Sequence, residues 1–595
     1  MVRLAIVHKE KCKPTACGHE CKKYCPVEKK EKDTCVFIKE DENSGKARIE
    51  EKTCIGCSIC EKRCPFGAIE IVNLPSVNEK DLVHRYGVNG FALYGLPVPK
   101  LGSVVGLLGR NGIGKTTAVR ILSGQEKMNL GLDKNEIDFL DEKIKQKFQG
   151  TELMRYFNDL KGKKISYKPQ NLSSLVVDVR VIDLLKNRSN NLKKIKLLSK
   201  DLGIEHILEN KLNKLSGGEL QRVAVLASVL DENAEIYFFD EPLAFLDIAE
   251  RLRVSDFILK IARNSDKKKT IVVVEHDLLI LDYLTDYLNI FYGQQGAFGL
   301  VSGLKSSKEG VNAYLQGYLK SENLRIRDKE LNFNFTKNKS ISGTRISSWE
   351  DFEIKFDSGF ELNVKNGDVK QNHVIGILGR NGTGKTSFVK ALAGEIDIFS
   401  DGKKKKLDLG LEISYKPQYL FTNSEGLVRD IIFKEKITKK LSSVFNLGVL
   451  QQKKVKELSG GELQRFSIAR CLAKDADLYL IDEPSAYLDV EERISVAKAI
   501  KEIMTEKEKT AFVVEHDLLL VSYLADNIIN FGSDKSNKKK CFASEVREFE
   551  EGVSELLKSL DITLRKDVES GRPRINKKYS VLDREQKEKN KWAVF

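Results

Sequence analysis

Val104-Val105-Gly106-Leu107-Leu108-Gly109-Arg110-Asn111-Gly112-Ile113-Gly114-Lys115-Thr116-Thr117 decides the fold. A short β-branched apolar run, read as a buried parallel strand, leads straight into G-x-x-x-x-G-K-T and then into a helical stretch from Lys115 to Leu122. Glycine at Gly109, Gly112 and Gly114 lets backbone N–H groups approach phosphate oxygens, and the helix N-terminus behind them favours negative charge. Lys115 is expected on the β and γ phosphates and Thr116 on a magnesium ion, with Asn111 and Thr117 beside them.

The same vocabulary recurs in the same order further along the chain. Gly379-Arg380-Asn381-Gly382-Thr383-Gly384-Lys385-Thr386-Ser387 repeats the loop, and Tyr415-Lys416-Pro417-Gln418 repeats Tyr167-Lys168-Pro169-Gln170. Leu458-Ser459-Gly460-Gly461-Glu462 repeats Leu215-Ser216-Gly217-Gly218-Glu219, Asp482-Glu483-Pro484 repeats Asp240-Glu241-Pro242, and Val514-Glu515-His516-Asp517 repeats Val274-Glu275-His276-Asp277. Further apolar runs, Ile236 to Phe239 and Ile271 to Val274, end at these motifs, and Glu219 to Leu230 reads as helix. The expectation is α/β: two P-loop domains, each with its ligand at the carboxyl ends of parallel strands. Asp240 and Asp482 are the acidic partners of magnesium. Glu241 and Glu483 are placed to take a proton from the attacking water, and His276 and His516 to reach the γ-phosphate.

A chain of 595 residues exceeds one hydrophobic core. Its formal net charge of +14 suits an anionic partner, although the lysine runs at 267–269, 403–406 and 538–540 look like solvated loop tips. Val2 to His8 stops being apolar too early for a signal peptide, and no stretch approaches about 18 uncharged apolar residues. A soluble, cytoplasmic protein is expected. Of 11 cysteines, nine fall between Cys12 and Cys64, which in a reducing compartment points to metal ligation. Cys54-x2-Cys57-x2-Cys60-x3-Cys64-Pro65 is the spacing of bacterial ferredoxins, whose fourth cysteine serves the other cluster, and Cys12, Cys17, Cys21 and Cys25-Pro26 form a second run. Two [4Fe-4S] clusters are expected, one on Cys54, Cys57, Cys60 and Cys25, the other on Cys12, Cys17, Cys21 and Cys64. Paired zinc sites are the alternative. Cys35, Cys471 and Cys541 are expected as small buried hydrophobes.

The repeated words resemble the ATP-binding-cassette (ABC) family, whose signature is Leu-Ser-Gly-Gly-Glu. In that family two cassettes pair head to tail and the signature of one caps the nucleotide of the other. The resemblance therefore pairs Lys115 with Ser459 and Gly461, and Lys385 with Ser216 and Gly218, around ATP or ADP. It also puts Gln170 and Gln418 at the glutamine-loop positions, so that ATP glues the halves and hydrolysis frees them. With a small ferredoxin-like α+β domain at the N-terminus and no membrane span, the chain resembles subfamily E, the RNase L inhibitor family. His84-Arg85-Tyr86-Gly87, Gly150-Thr151-Glu152-Leu153, Gly317-Tyr318-Leu319 and Gly571-Arg572-Pro573-Arg574-Ile575-Asn576-Lys577 carry that likeness. It implies a ribosome-recycling ATPase that acts with a release or rescue factor and binds the small subunit into initiation. It also implies a monomer whose cassettes pair within the chain.

Tyr86 and Phe91 resemble the family's adenine-stacking aromatics; for the second cassette Trp349 and Phe360 are the candidates. Leu243-Ala244-Phe245 departs from the family pattern that Ser485-Ala486-Tyr487 keeps. The domains are placed at 1–75, 76–305, 346–545 and 546–595, with a connector at 306–345. The tail is either a strap or a disordered basic segment. An insertion at 133–161 reads as two short helices around Gly150, protruding, with Lys143, Lys145, Lys147, Arg155 and Thr151 facing RNA phosphate. Rival readings are another soluble ABC translation factor, a transporter subunit, or a cluster-bearing scaffold that only binds nucleotide.

Overall fold

The computed structural model describes residues 3–38, 45–51, 53–73, 81–132, 140–160, 163–231, 233–263, 268–331, 343–400, 402–418, 425–534, 536–537 and 539–594. The expected boundary at Pro75, the start of the insertion at 133–139 and part of the connector at 332–342 lie outside the described residues.

The two ends of the cysteine-rich segment are tied together. β1 (Arg3–Val7) pairs antiparallel with β2 (Ile69–Asn73), and short helices carry the cysteines between them.

In the first cassette, β3 (Val104–Leu108) leads to α1 (Lys115–Leu122), followed by the helical pair α2 (Leu140–Phe148) and α3 (Glu152–Asp159). Then come β4 (Lys164–Lys168), α4 (Gly217–Val229), β5 (Ala234–Asp240), α5 (Ile248–Arg263), β6 (Thr270–Val274), α6 (Leu278–Leu284) and β7 (Tyr287–Gln294). The parallel core runs in the order β7-β3-β6-β5-β4. Every residue of β3 and β6 is buried, which is why these strands are uninterrupted apolar runs. The connector is not a bare linker, since α7 (Ser307–Gln316) closes on the Gly317 turn at φ +71° and packs on β7.

The second cassette repeats the plan with β8 (Val374–Gly379), α8 (Lys385–Leu392), β9 (Asp397–Ser400), β10 (Lys403–Lys406), β11 (Ile413–Lys416), α9 (Gly460–Ala473), β12 (Leu478–Asp482), α10 (Val490–Lys507), β13 (Thr510–Val514) and β14 (Asn527–Ser533). Its parallel core is β14-β8-β13-β12-β11. Lys403 to Lys406, expected as a loop tip, is instead the exposed outermost strand of the sheet, where lysines block further strand addition.

The tail is a strap. β15 (Leu564–Lys566) and β16 (Pro573–Ile575) form a hairpin that packs on α6 of the first cassette. Arg572 is 1 % exposed, with Nη1 2.9 Å from Asp282, and Arg574 Nε meets the same carboxylate at 2.6 Å. Two guanidinium groups on one buried carboxylate leave no room for a disordered reading. Among the described residues no helix is long and apolar enough to cross a membrane.

The cassettes meet head to tail. Asn111 N–H donates to Asp489 Oδ2 at 3.1 Å, and Asn381 N–H to Asp247 Oδ2 at 2.7 Å. Phe245 and Tyr487 pack edge to face between them, ring centres 6.4 Å apart.

Candidate functional site

Each P-loop ends in a glycine that must stay a glycine. Gly114 and Gly384 cap α1 and α8 at φ +95° and +93°, and a Cβ on either would stand 2.8 to 3.0 Å from the rings of Phe91 and Phe360. Both loops fold back on their own lysines. Lys115 Nζ donates to the Gly109 and Arg110 carbonyls at 2.7 and 2.6 Å, and Lys385 Nζ to those of Gly379 and Arg380 at 3.0 and 2.8 Å. Burial pulls both ammonium groups down to about 8, against the charges of Glu241 and Asp489 at one and of Asp247 and Glu483 at the other.

The acidic residues divide by environment. Asp240 and Asp482 are fully buried, and burial pushes them up to about 6 despite the neighbouring Thr116 and Thr386 hydroxyls. Thr386 Oγ1 donates to Asp482 Oδ2 at 2.8 Å, while Asp482 Oδ1 has no partner among the described residues. A buried carboxylate oxygen left over beside a threonine hydroxyl fits a hard divalent cation.

Glu241 and Glu483 behave oppositely. Burial raises them, but His276 and Lys115 with Gln170 at the first, and His516, Gln418 and Lys385 at the second, outweigh it and hold each at about 2. Gln170 Nε2 donates to Glu241 Oε1 and Gln418 Nε2 to Glu483 Oε1, both at 2.8 Å. The histidine Nε2 atoms lie 3.3 and 3.4 Å from those same oxygens. The Glu241 and Glu483 backbones sit in the left-handed region at φ +47° and +48°, which a glutamate enters only when its surroundings force it. Residues that the sequence reading left unassigned tie these two turns. Lys168 Nζ donates to the Asp240 and Glu241 carbonyls, both at 2.9 Å, and Lys416 Nζ to those of Asp482 and Glu483 at 2.6 and 3.3 Å. The signal was the lysine in each repeated Tyr-Lys-Pro-Gln.

Ser216 and Ser459 cap α4 and α9, each in a reciprocal box with Glu219 or Glu462. Both serines are exposed, so the first turns of these helices face outwards. Tyr487 packs on Gly460, and the adjoining Asp489 reaches the first P-loop. The second signature is thus linked, through Tyr487 and Asp489, to the P-loop of the first cassette.

Tyr86 follows the strand Leu82–Arg85, its N–H donating to the Phe91 carbonyl at 3.0 Å and its ring 42 % exposed. Phe356 follows Phe352–Lys355 in the same way: its N–H donates to the Phe360 carbonyl at 3.0 Å and its ring is 43 % exposed. Neither Trp349 nor Phe360, the candidates the sequence offered in the second cassette, fits an adenine stack as well as Phe356 does. Trp349 is 4 % exposed with Nε1 on the Lys365 carbonyl, and Phe360, like Phe91, lies under the P-loop glycine.

The cysteines gather around two cavities. One is lined by Cys12, Cys17, Cys21 and Cys64, the other by Cys25, Cys54, Cys57 and Cys60. Cys35 is buried, as expected of a small hydrophobe, but it also lines the second cavity, its loop held by Glu28, which accepts the N–H groups of Asp33, Thr34, Cys35 and Val36. Cys471 and Cys541 lie in the cassette cores. Arg85 Nη2 pairs with Glu51 at 2.6 Å and Asn89 bonds the Ile49 backbone, so the cysteine domain grips the loop that carries Tyr86.

The insertion forms the two expected helices with Gly150 at φ +77° between them. Thr151 accepts the Met154 N–H as an N-cap, but its hydroxyl donates to the Phe148 carbonyl at 2.6 Å, so its proton is not offered to a phosphate as expected. Lys147 likewise turns inward, onto the Leu82 carbonyl.

The model for "ABC transporter" matches residues 99–244 and 362–486, that for "Possible Fer4-like domain in RNase L inhibitor, RLI" residues 2–32, and that for "4Fe-4S binding domain" residues 47–70. Translation initiation factor RLI1 of Saccharomyces cerevisiae is 40% identical over 98% of this chain and 97% of its own. An archaeal ribosome recycling factor, aABCE1, solved with the ribosomal stalk protein aP1, shares 42% identity over 87% of this chain and all of its own, at a TM-score of 0.80. A chain from a model of ribosome-bound archaeal Pelota and ABCE1 shares 42% identity over 100% of this chain and 99% of its own, at a TM-score of 0.88. With paired cassettes and a cysteine-rich, Fer4-like domain docked at the first of them, the chain belongs to the RNase L inhibitor family, subfamily E of the ABC ATPases.

Proposed function

We propose that this ATPase separates ribosomal subunits after termination or rescue and remains on the small subunit into initiation. The observation that carries it is the crossed contact of Asp489 with the first P-loop and Asp247 with the second, in a chain similar end to end to ribosome-bound relatives. Such contacts let ATP close the halves and hydrolysis release them, a stroke that a scaffold does not need. In a sucrose gradient, ATP with a release or rescue factor should convert intact ribosomes to subunits. A non-hydrolysable analogue should leave the protein on the small subunit. Intact ribosomes under both conditions would overturn the reading.

Each nucleotide is shared. Lys115 with Gly109, Asn111, Gly112 and Gly114 holds one triphosphate, which the helix beginning at Ser459 and Gly461 caps; Lys385 and its loop hold the other under Ser216 and Gly218. Thr117 and Ser387 extend the cradles. A magnesium ion held by Thr116 with Asp240, and by Thr386 with Asp482, would neutralise phosphate charge. Glu241 and Glu483, ionised throughout the neutral range, accept the proton of water, while Gln170, Gln418, His276 and His516 hold them in place. The adenines stack on Tyr86 and Phe356. Phe356→Ala should weaken nucleotide binding at the second site about ten-fold in fluorescent-nucleotide titration. Unchanged affinity would remove Phe356 from the site.

The cysteine cavities take two [4Fe-4S] clusters. Each cavity is lined by four thiols drawn from both cysteine runs, the exchange of ligands that a two-cluster ferredoxin domain makes. Thr151 marks the face of the helical pair turned to ribosomal RNA. Thr151→Asp keeps an N-cap acceptor and adds negative charge, so ribosome binding should weaken, most at low salt. Unaltered binding at low salt would discard that face.

A further inference from the structure

The base platforms of the two sites are held in different ways. At the first, Tyr86 Oη lies 3.1 Å from Glu126 Oε2 and 3.2 Å from Thr117 Oγ1. An ionised carboxylate only accepts, so Tyr86 gives its one hydroxyl proton to Glu126 and takes that of Thr117. The other oxygen, Glu126 Oε1, stands 3.1 Å from Nε2 of the buried His84, whose ring packs edge to face on Tyr86, centres 4.7 Å apart. The turn after α1 builds this arrangement: Gly124 sits at φ +74° and the Glu126 N–H donates to the Arg120 carbonyl at 3.1 Å. The Glu126 side chain is 18 % exposed, so its bonds are largely shielded from water. At the second site the corresponding positions are apolar. The same turn follows α8, with Gly394 at φ +68°, but Ile396 takes the place of Glu126, Ile354 that of His84, and Phe356 has no hydroxyl. Phe356 leans instead on Phe360, ring centres 5.9 Å apart.

We infer that Glu126 is a positioning residue for the first nucleotide: it holds the Tyr86 ring by its hydroxyl and, through the proton that Thr117 shares with Tyr86, sets the base platform against the phosphate cradle. The inference rests on Tyr86 being that platform. A ring that is 42 % exposed and untethered loses rotamer freedom when a base stacks on it. Glu126 removes that cost before the nucleotide arrives, which is how a residue that touches neither base nor phosphate strengthens binding.

The test separates base from phosphate. In full-length protein carrying K385A, which disables the phosphate cradle of the second site, E126A should weaken binding of ribose-labelled ATP about ten-fold in fluorescence titration, the low end of what a hydrogen bond to a charged group contributes. Inorganic tripolyphosphate, followed by calorimetry, should bind as before, because it has phosphates but no base to stack. Y86F should match E126A, and the Y86F/E126A double mutant should lose no more than either, since both remove the same bond. E126Q keeps an oxygen for the tyrosine proton and should retain most of the affinity. With K115A in place of K385A, E126A should leave ATP binding at the second site unchanged. Equal losses for ATP and tripolyphosphate would make Glu126 a support of the α1 turn only and overturn the inference, as would additive losses in the double mutant or undiminished ATP affinity in E126A. Undiminished ATP affinity in Y86A would instead remove Tyr86 as the platform, and the inference with it.

Discussion

Replacing Glu241 and Glu483 together by glutamine is expected to lower ATP turnover by at least about 10²-fold while leaving ATP binding intact, because an amide keeps the shape and loses the base. Gln170 and Gln418 donate to these carboxylates and an amide oxygen still accepts, so the loops should keep their form. The protein should then stay closed on the small subunit, since the bond energy that holds Asp489 to the first P-loop and Asp247 to the second is no longer interrupted by hydrolysis. Single mutants should each silence one site. Turnover unchanged in the double mutant would place water activation elsewhere.

Anaerobically purified protein should carry about eight irons, as two four-iron clusters. Cys64→Ser should damage the cluster of Cys12, Cys17 and Cys21, and Cys25→Ser that of Cys54, Cys57 and Cys60, because each thiol lines the cavity opposite to its own run. Elemental analysis giving two zinc ions and no iron would remove the clusters. Spectra in which each substitution spared the distant cluster would remove the exchange of ligands.

Repetition made much of this legible. Two copies of each motif in one order fixed the cassettes, and the buried strands Val104–Leu108 and Thr270–Val274 are what uniform apolar runs specify. The cysteine spacing anticipated which thiols share a cavity. What escaped depends on distant partners. Phe356 lies in no repeated word; its match to Tyr86 is a backbone register between strands, which a comparison of side chains misses. The lysine run at 403–406 looked like a loop because charge usually marks one, whereas pairing with Asp397–Ser400 makes it an edge strand. The Thr151 hydroxyl was read as a free donor because a cap's second bond, to Phe148, is a matter of geometry. Lys168 and Lys416 stood unassigned within the repeated Tyr-Lys-Pro-Gln, although they hold the backbone of the glutamates.

The strap at the end of the chain has a kinetic consequence. Its hairpin leaves the second cassette and is pinned by Arg572 and Arg574 to Asp282 of the first, so the halves are joined by the strap as well as by the connector. A partner held that way is present at an effective concentration that dilution cannot lower, on the order of millimolar for a short tether. Closure then becomes a first-order event, and the specific rate of each molecule should be the same in a dilute extract as in a concentrated one.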